Sequence, residues 1–304
     1  MTRLSVIGAP NSLGSYAAGQ DLAPAALRSA GLIPLLARAG VDVVDEGDLP
    51  VQAWRPDREH PLAQHADDVA ACLAELTSRL RPLVSRSHAV LVIGGNCTIA
   101  LAAMAALDNT ESGQAGLLYV DRHFDLNTPE TTTDGALDWM GMAHALALPG
   151  CVESLMQVFG RRPLLQPHQV AWVGVQEDRA TQWERDQVTQ LGLQVTTSDE
   201  LAAEPAEAIR RALATLPTGR LAVHVDVDVL DFTDAPLAED TGGRNSGPTL
   251  AQLGTALTMA TSDPRAQVLS IGELNPTRSA GDPAAIPRFV NLLVAVLVEL
   301  VATK

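Results

Sequence analysis

Eight short runs of apolar and β-branched residues punctuate the chain: 4–9 (LSVIGA), 41–45 (VDVVD), 89–95 (AVLVIGG), 116–121 (GLLYVD), 170–175 (VAWVGV), 193–197 (LQVTT), 221–226 (LAVHVD) and 267–273 (QVLSIGE). Most are continuously hydrophobic instead of alternating, the pattern of strands covered on both faces. Between them the period becomes helical, as in 24–40 (PAALRSAGLIPLLARAG), 62–84, 205–216 and 286–302. Strand and helix alternate to the end with no linker, repeat or low-complexity segment, so the expectation is one α/β domain over residues 1–304. Its expected architecture is three layers, α/β/α, around a parallel sheet. Such sheets bind ligands in the crevice beyond the carboxyl ends of their strands.

Ionisable residues collect at those ends. The third run leads into Asn96 and Cys97, the fourth into Asp121, His123 and Asp125, the seventh into His224, Asp226 and Asp228, and the eighth into Glu273. In an extended segment residues i, i+2 and i+4 share a side, so Asp121, His123 and Asp125 are expected to point together, as are Asp226 and Asp228. At that spacing His224 should share the face of Asp226. Carboxylates meeting at the edge of a buried sheet repel one another unless a cation neutralises them. A site for two divalent metal ions follows, and carboxylate-rich ligation favours Mn²⁺. Two such ions lower the pKa of water and prepare it to attack an electrophilic carbon.

Composition narrows the partner. A net charge of -15 argues against nucleic acid and against an anionic membrane, both of which require basic patches. Three scattered cysteines, Cys72, Cys97 and Cys151, make neither a disulfide framework nor a CxxC zinc pattern, and a cytoplasmic location is expected. The N-terminal segment lacks the long apolar core of a signal peptide. Near the other end, FVNLLVAVLVELVA is short for a bilayer and carries Glu299, so it reads as a core-facing helix.

Five motifs in order resemble those of the arginase and agmatinase family, the ureohydrolases. They are IGAPNSLG with DLAPAALRSAG, GGNCT, DRHFDLNTP, HVDVDVLDF and GELNP. The resemblance spans nearly the whole chain and implies a parallel eight-stranded sheet, a dimanganese centre and hydrolysis of a guanidino group to urea and an amine. Trimers or hexamers of identical chains are implied as well. Carried over, Asp121, Asp125 and Asp226 resemble carboxylates shared between the metals, and His123 and Asp228 resemble ligands of the second metal. Cys97 takes the place of the first metal's histidine. Glu273 resembles the glutamate that holds the guanidinium, Asp125 the group that relays a proton to the leaving amine, and Asn127 a residue that binds the α-carboxylate of arginine.

Departures from the family pattern concern the metal site and the pocket. A thiolate at Cys97 is a softer ligand and moves preference toward Zn²⁺ or Fe²⁺. Asn96 beside it stands where the family has an aspartate that accepts a proton from the ligating imidazole, a place behind the ligand in which a carboxylate would repel a thiolate. Arg122 replaces a small residue and reads as pairing with a nearby acid, on the side away from the ligands. Asp134 falls where arginases carry a serine for the α-carboxylate, Asp138 where they carry a proton-shuttling histidine, and Arg179 where an aspartate reads the α-amino group. With the charges so exchanged, a guanidino compound other than free L-arginine is expected, Asp134 or Asp138 facing a cationic tail or Arg179 a carboxylate. Glu239, Arg244 and Asn245 are expected at the same mouth. Trp139, Met140 and the remaining histidines read as structural. Two alternatives stay open: hydrolysis of a hydroxyguanidine or formimino bond, which Cys97 favours, and a catalytically silent binding or oligomer subunit.

Overall fold

The computed structural model describes residues 3–86, 88–107, 114–239 and 246–304. All eight expected strands form: β1 (Arg3–Gly8), β2 (Asp42–Asp48), β3 (Ala89–Ile93), β4 (Gly116–Val120), β5 (Val170–Val175), β6 (Gln194–Thr197), β7 (Leu221–Asp226) and β8 (Ala266–Gly272). They make one sheet in the order β2-β1-β3-β8-β7-β4-β5-β6, and every pairing is parallel. The outermost strands, β2 and β6, are the least buried. That is where a sheet tolerates polar residues.

The winding explains where a site can form. From β1 the chain moves out to β2, returns to β3, then jumps to β4 and runs outward to β6 before β7 and β8 fill the gap. The connections diverge at the centre, and the carboxyl ends of β3, β8, β7 and β4 surround the crevice left there.

The helices are α1 (Ala23–Ser29), α2 (Leu32–Arg38), α3 (Ala66–Ser85), α4 (Ile99–Leu107), α5 (Gly141–Leu146), α6 (Glu153–Gln157), α7 (Gln182–Leu191), α8 (Ser198–Ala203), α9 (Pro205–Thr215), α10 (Leu250–Thr261) and α11 (Ala285–Ala302). Leu117 and Tyr119 of β4 share a core with α3, α4 and α5, whereas Leu118 and Val120 face the core shared with α1, α2, α9, α10 and α11. This is the period-2 alternation of a strand buried on both faces. The helical pattern over 24–40 divides into α1 and α2, because Gly31 adopts a left-handed φ of 92° that ends one helix and starts the next. Helix α11 is long and apolar enough to cross a membrane by composition alone, yet it lays Phe289, Val290, Leu293, Val296, Leu297 and Leu300 into the second core.

One glycine is dictated by the crossing of two loops. A Cβ on Gly95 would lie 1.8 Å from the carbonyl oxygen of Asn11, so the segments after β1 and β3 can touch only if residue 95 has no side chain. The Gly95 carbonyl also accepts the amide of Glu273 at 2.9 Å, which joins the segment after β3 to that after β8.

Candidate metal centre

Asp121 follows β4 and Asp226 ends β7, and the two strands lie side by side with Val120 opposite Val225. Each acid folds its own turn. Asp121 Oδ1 accepts the amide of His123 at 2.7 Å, and Asp226 Oδ1 accepts the amide of Asp228 at 2.7 Å. Extended alternation, expected from the spacing, is therefore replaced by a pair of Asx-type turns. The turns still converge, since each leaves Oδ2 directed at Cys97: Cys97 Sγ is 2.8 Å from Asp226 Oδ2 and 4.0 Å from Asp121 Oδ2.

Two donor groups result, Cys97 with Asp121 and Asp226, and Asp121 with His123 and Asp228. Within each group the donor atoms lie within 4.8 Å of one another, and Asp121 belongs to both. His123 Nδ1 stands 3.1 Å from Asp228 Oδ2 and 3.5 Å from Asp121 Oδ1. Overlapping sets of buried sulfur and carboxylate donors with one partly buried imidazole nitrogen suit two adjacent divalent cations.

The electrostatics point the same way. Burial, joined by neighbouring carboxylates, pushes Asp125, Asp226 and Glu273 well above the usual carboxylate range; it raises Asp121 too, against the pull of His123. Burial also pushes up Asp228, but His123 and Arg122 outweigh it and hold this carboxyl low. Desolvation works against charge on His123, yet Asp228 and Asp121 raise it well above an ordinary imidazole. Burial, then Asp226, drives the Cys97 thiol far up. A dication would invert these preferences by stabilising every anionic form at once.

Asp125, expected as a third shared carboxylate, faces the cavity but belongs to neither donor group. Tyr119 donates its hydroxyl to Asp125 Oδ2 at 2.5 Å, and Asp125 itself has a left-handed φ of 54°. Glu273 has a φ of 58°. Such backbone strain in non-glycine residues collects at functional sites. Glu273 is also oriented by donors: Gln20 Nε2 reaches its Oε2 at 3.0 Å and the Cys97 amide its Oε1 at 3.2 Å.

The narrow cavity above these groups is walled by His123, Asp125, Asp226, Asp228 and Glu273, and rimmed by Tyr16, Asp138, Trp139 and Glu239. Asp138 accepts the Tyr16 amide at 2.8 Å, and burial pushes its carboxyl up to about 7, with Asp134 and Asp228 adding to the rise. Trp139, which the sequence suggested as packing, stands edge-on to His123 with ring centroids 5.3 Å apart. Glu239 sits at the mouth as expected and is paired with Arg278. Arg244 and Asn245 lie outside the described residues.

Five expected placements change. Arg179 lines a separate pocket beyond β5 and β6 with Asp178, Asp199 and Ser246, away from the acidic cavity. Asp134 uses Oδ1 to accept the Ala136 amide of its own turn at 3.0 Å. Asn127 Oδ1 accepts the hydroxyls of Thr131 at 3.1 Å and Thr181 at 3.0 Å, and the residue is not part of the cavity wall. Asn96 turns from Cys97 toward Leu13 O and Ser15 Oγ, so its work is to brace the loop after β1. Arg122, placed by its spacing away from the ligands, brings Nε to 3.9 Å from Asp228 Oδ1. His224 does share the face of Asp226: its ring stacks on Tyr119 at 5.0 Å, Nδ1 meets Ser270 Oγ at 2.8 Å, and burial pushes its pKa down to about 3. A neutral packing ring fits those surroundings.

Tyr119 and Gln20 escaped the sequence reading. Tyr119 had a usable signal, because it stands two positions before Asp121 and so on the same face of β4. Gln20 had none, lying 253 residues from Glu273.

A family model for the arginase family matches residues 2–298. Among curated proteins the chain is similar to the arginase of Bacillus caldovelox, with 29% identity over 243 residues, 78% of this chain and 79% of that protein. The solved native structure of Bacillus caldovelox arginase superposes with a TM-score of 0.85 at 26% identity, covering 100% of this chain and 99% of that one. Formimidoylglutamase from Bacillus subtilis has the same fold, with a TM-score of 0.74, 18% identity and coverage of 100% and 87%.

Proposed function

The chain belongs to the arginase family, and on that premise we propose that it hydrolyses the guanidino group of a compound other than free L-arginine, releasing urea and an amine. Members of the family are binuclear-metal amidinohydrolases that act on non-peptide C–N bonds in linear amidines. The observation that carries the reading is the pair of buried donor groups joined at Asp121. Cys97 and Asp226 would hold one ion, His123 and Asp228 the other, and Asp121 both. When bound, the two ions supply Lewis acidity and a water activated for attack. Mn²⁺ is the ion proposed, with Zn²⁺ or Fe²⁺ as the alternatives that Cys97 opens.

The remaining work falls to side chains. Glu273, its two oxygens oriented by Gln20 and the Cys97 amide, grips the guanidinium. Water oxygen adds to the guanidino carbon, the C–N bond to the departing amine breaks, and a proton must travel from the water to that amine. Tyr119 occupies Asp125 Oδ2, which leaves Oδ1 as the atom that takes and returns the proton. Asp138 stands at the rim with a carboxyl pushed up to about 7, suited to proton exchange with solvent.

Substrate choice is argued from charge. Among the described residues the cavity wall contains no Lys or Arg to receive a substrate carboxylate, while Asp138 flanks the entrance beside Glu239, which is partnered by Arg278. A guanidino compound with a cationic or neutral tail suits that mouth better than one with a free α-carboxylate. Cys97 favours a second reading, a hydroxyguanidine or formimino substrate. A silent subunit is the poorer account, because a cluster of buried acids kept neutral by protonation does no work, whereas a bound cation stabilises its anionic form. A homo-oligomer, trimeric or hexameric, in the cytoplasm completes the proposal.

Metal content after reconstitution with Mn²⁺, Zn²⁺ and Fe²⁺, followed by urea and ammonia release across a panel of guanidino compounds, tests the reading. Two ions per chain and turnover of at least one cationic- or neutral-tailed compound are expected, with Asp226→Asn lowering activity at least a hundredfold. Less than one ion per chain would remove the enzyme reading, and full activity in Asp226→Asn would remove the ligand assignment.

A further inference from the structure

Among the described residues, Arg122 is the only basic side chain set against a member of either donor group apart from His123, which is itself a donor. The residue is 4% exposed. Its Nη2 donates to the carbonyl of Leu230 at 2.8 Å, its own carbonyl accepts the Gln176 amide at 2.8 Å, and its Nε stands 3.9 Å from Asp228 Oδ1. Leu230 closes the short helical turn that begins beyond Asp226 and carries Asp228. The guanidinium is therefore tethered through Nη2 to the turn that carries Asp228, and the main chain of Arg122 is tied to the segment after β5. Asp228 is shared between opposite demands, Oδ1 facing Arg122 and Oδ2 facing His123 Nδ1 at 3.1 Å.

We infer that Arg122 is a positioning residue that makes the two cation positions unequal: it fixes a positive charge behind Asp228 and weakens the hold of the Asp121, His123 and Asp228 group on a divalent ion. The inference rests on the two-ion reading above. Two effects of Arg122 oppose each other, and their sizes decide the sign. Arg122 helps Asp228 ionise, which favours metal binding, but an arriving dication ionises an adjacent carboxyl by itself, so that help is largely redundant. Repulsion between a fixed cation and a dication is not redundant. At an effective dielectric near ~20 it amounts to at least roughly a tenfold change in affinity for charges a few ångströms apart. Arg122 also attracts Oδ1 from 3.9 Å, which works against that oxygen joining Oδ2 in a two-oxygen grip on the ion. Apart from His123, which meets Asp121 and is itself a donor to the other ion, the Cys97, Asp121 and Asp226 group has no such counter-charge among its hydrogen-bond and ion-pair partners in the described residues.

The test is a stepwise Mn²⁺ titration of metal-free protein by calorimetry, checked by metal analysis, on the wild type, Arg122→Met, Arg122→Lys and Asp228→Asn. Asp228→Asn identifies the affected step as the one it abolishes or weakens most. Arg122→Met is expected to tighten that step at least tenfold and to shift the other less than threefold, while Arg122→Lys, which keeps the charge, stays within about threefold of wild type at both. A merely structural arginine would weaken both steps together, and that result, or weakening of the Asp228 step alone, overturns the inference. If Arg122→Met does not fold, Arg122→Gln carries the same expectation. Fewer than two ions on the wild-type chain would instead remove the two-ion reading, a different failure read from the same titration.

Discussion

Tyr119→Phe removes one oxygen from behind Asp125 and leaves its ring in place. The ring is fully buried, stacked on His224 at 5.0 Å and edge-on to Trp172 at 6.4 Å, and phenylalanine preserves both contacts. What disappears is the 2.5 Å hydrogen bond to Asp125 Oδ2. A buried hydrogen bond to a charged group is worth about 1.5–3 kcal/mol, and with one factor of ten per ~1.4 kcal/mol this corresponds to a loss of roughly 10- to 150-fold if the bond is needed in the transition state. Asp125 keeps its strained φ of 54° with one tether fewer, so its free oxygen should wander from the line between water and leaving group. The assay is steady-state kinetics on the best guanidino substrate, with metal content and thermal melting measured in parallel. The expected result is a fall in kcat of about 30-fold with KM and metal content unchanged. A kcat within threefold of wild type, or a loss explained by lost metal, would refute Tyr119 as the residue that holds the proton relay.

Gln20→Ala should raise KM by about tenfold with a smaller effect on kcat, because it removes the donor that fixes Glu273 Oε2 for guanidinium binding; an unchanged KM would place the guanidinium elsewhere. His144 supplies a test of stability against pH. Burial pushes its pKa down to about 4; its ring meets Met140 O through Nδ1 at 2.7 Å and accepts the Val152 amide through Nε2 at 3.0 Å. Because the unfolded chain binds a proton near ~6.5 and the folded chain only near 4, the stabilisation is complete above the higher value and is lost as pH falls through the interval, about 3 kcal/mol in all. Urea unfolding of wild type and His144→Gln at pH 7.5, 5.5 and 4 should show the difference between the two shrinking toward acid, and a constant difference would contradict the assignment.

How far the sequence could be read follows from the range of the forces involved. Strand positions were legible because continuous hydrophobicity is a local requirement of burial on both faces, and the motifs at the strand ends were legible because parallel topology brings all carboxyl ends to one rim. The donor groups needed only that topology and two short turns, so Cys97, Asp121, His123, Asp226 and Asp228 were nameable in advance. Spacing misled where loop conformation intervened. Asp121 and Asp226 form Asx-type turns in place of extended chain, and Arg122 consequently meets Asp228. Asp134 and Asn127 spend their side chains on their own loops, a choice that depends on backbone geometry no residue pattern encodes.

By itself, then, the sequence determined the layered parallel fold, the rim on which the chemistry sits and the residue types available there, all consequences of local periodicity and chain order. Only the tertiary structure decided which oxygen of each carboxylate faces a partner, that Tyr119 holds Asp125, that Gln20 reaches across 253 residues to Glu273, and that Arg179 stands in another pocket. Those outcomes depend on where loops cross, as at Gly95 against Asn11, and a crossing is fixed by contacts between segments that the chain brings together only when it folds.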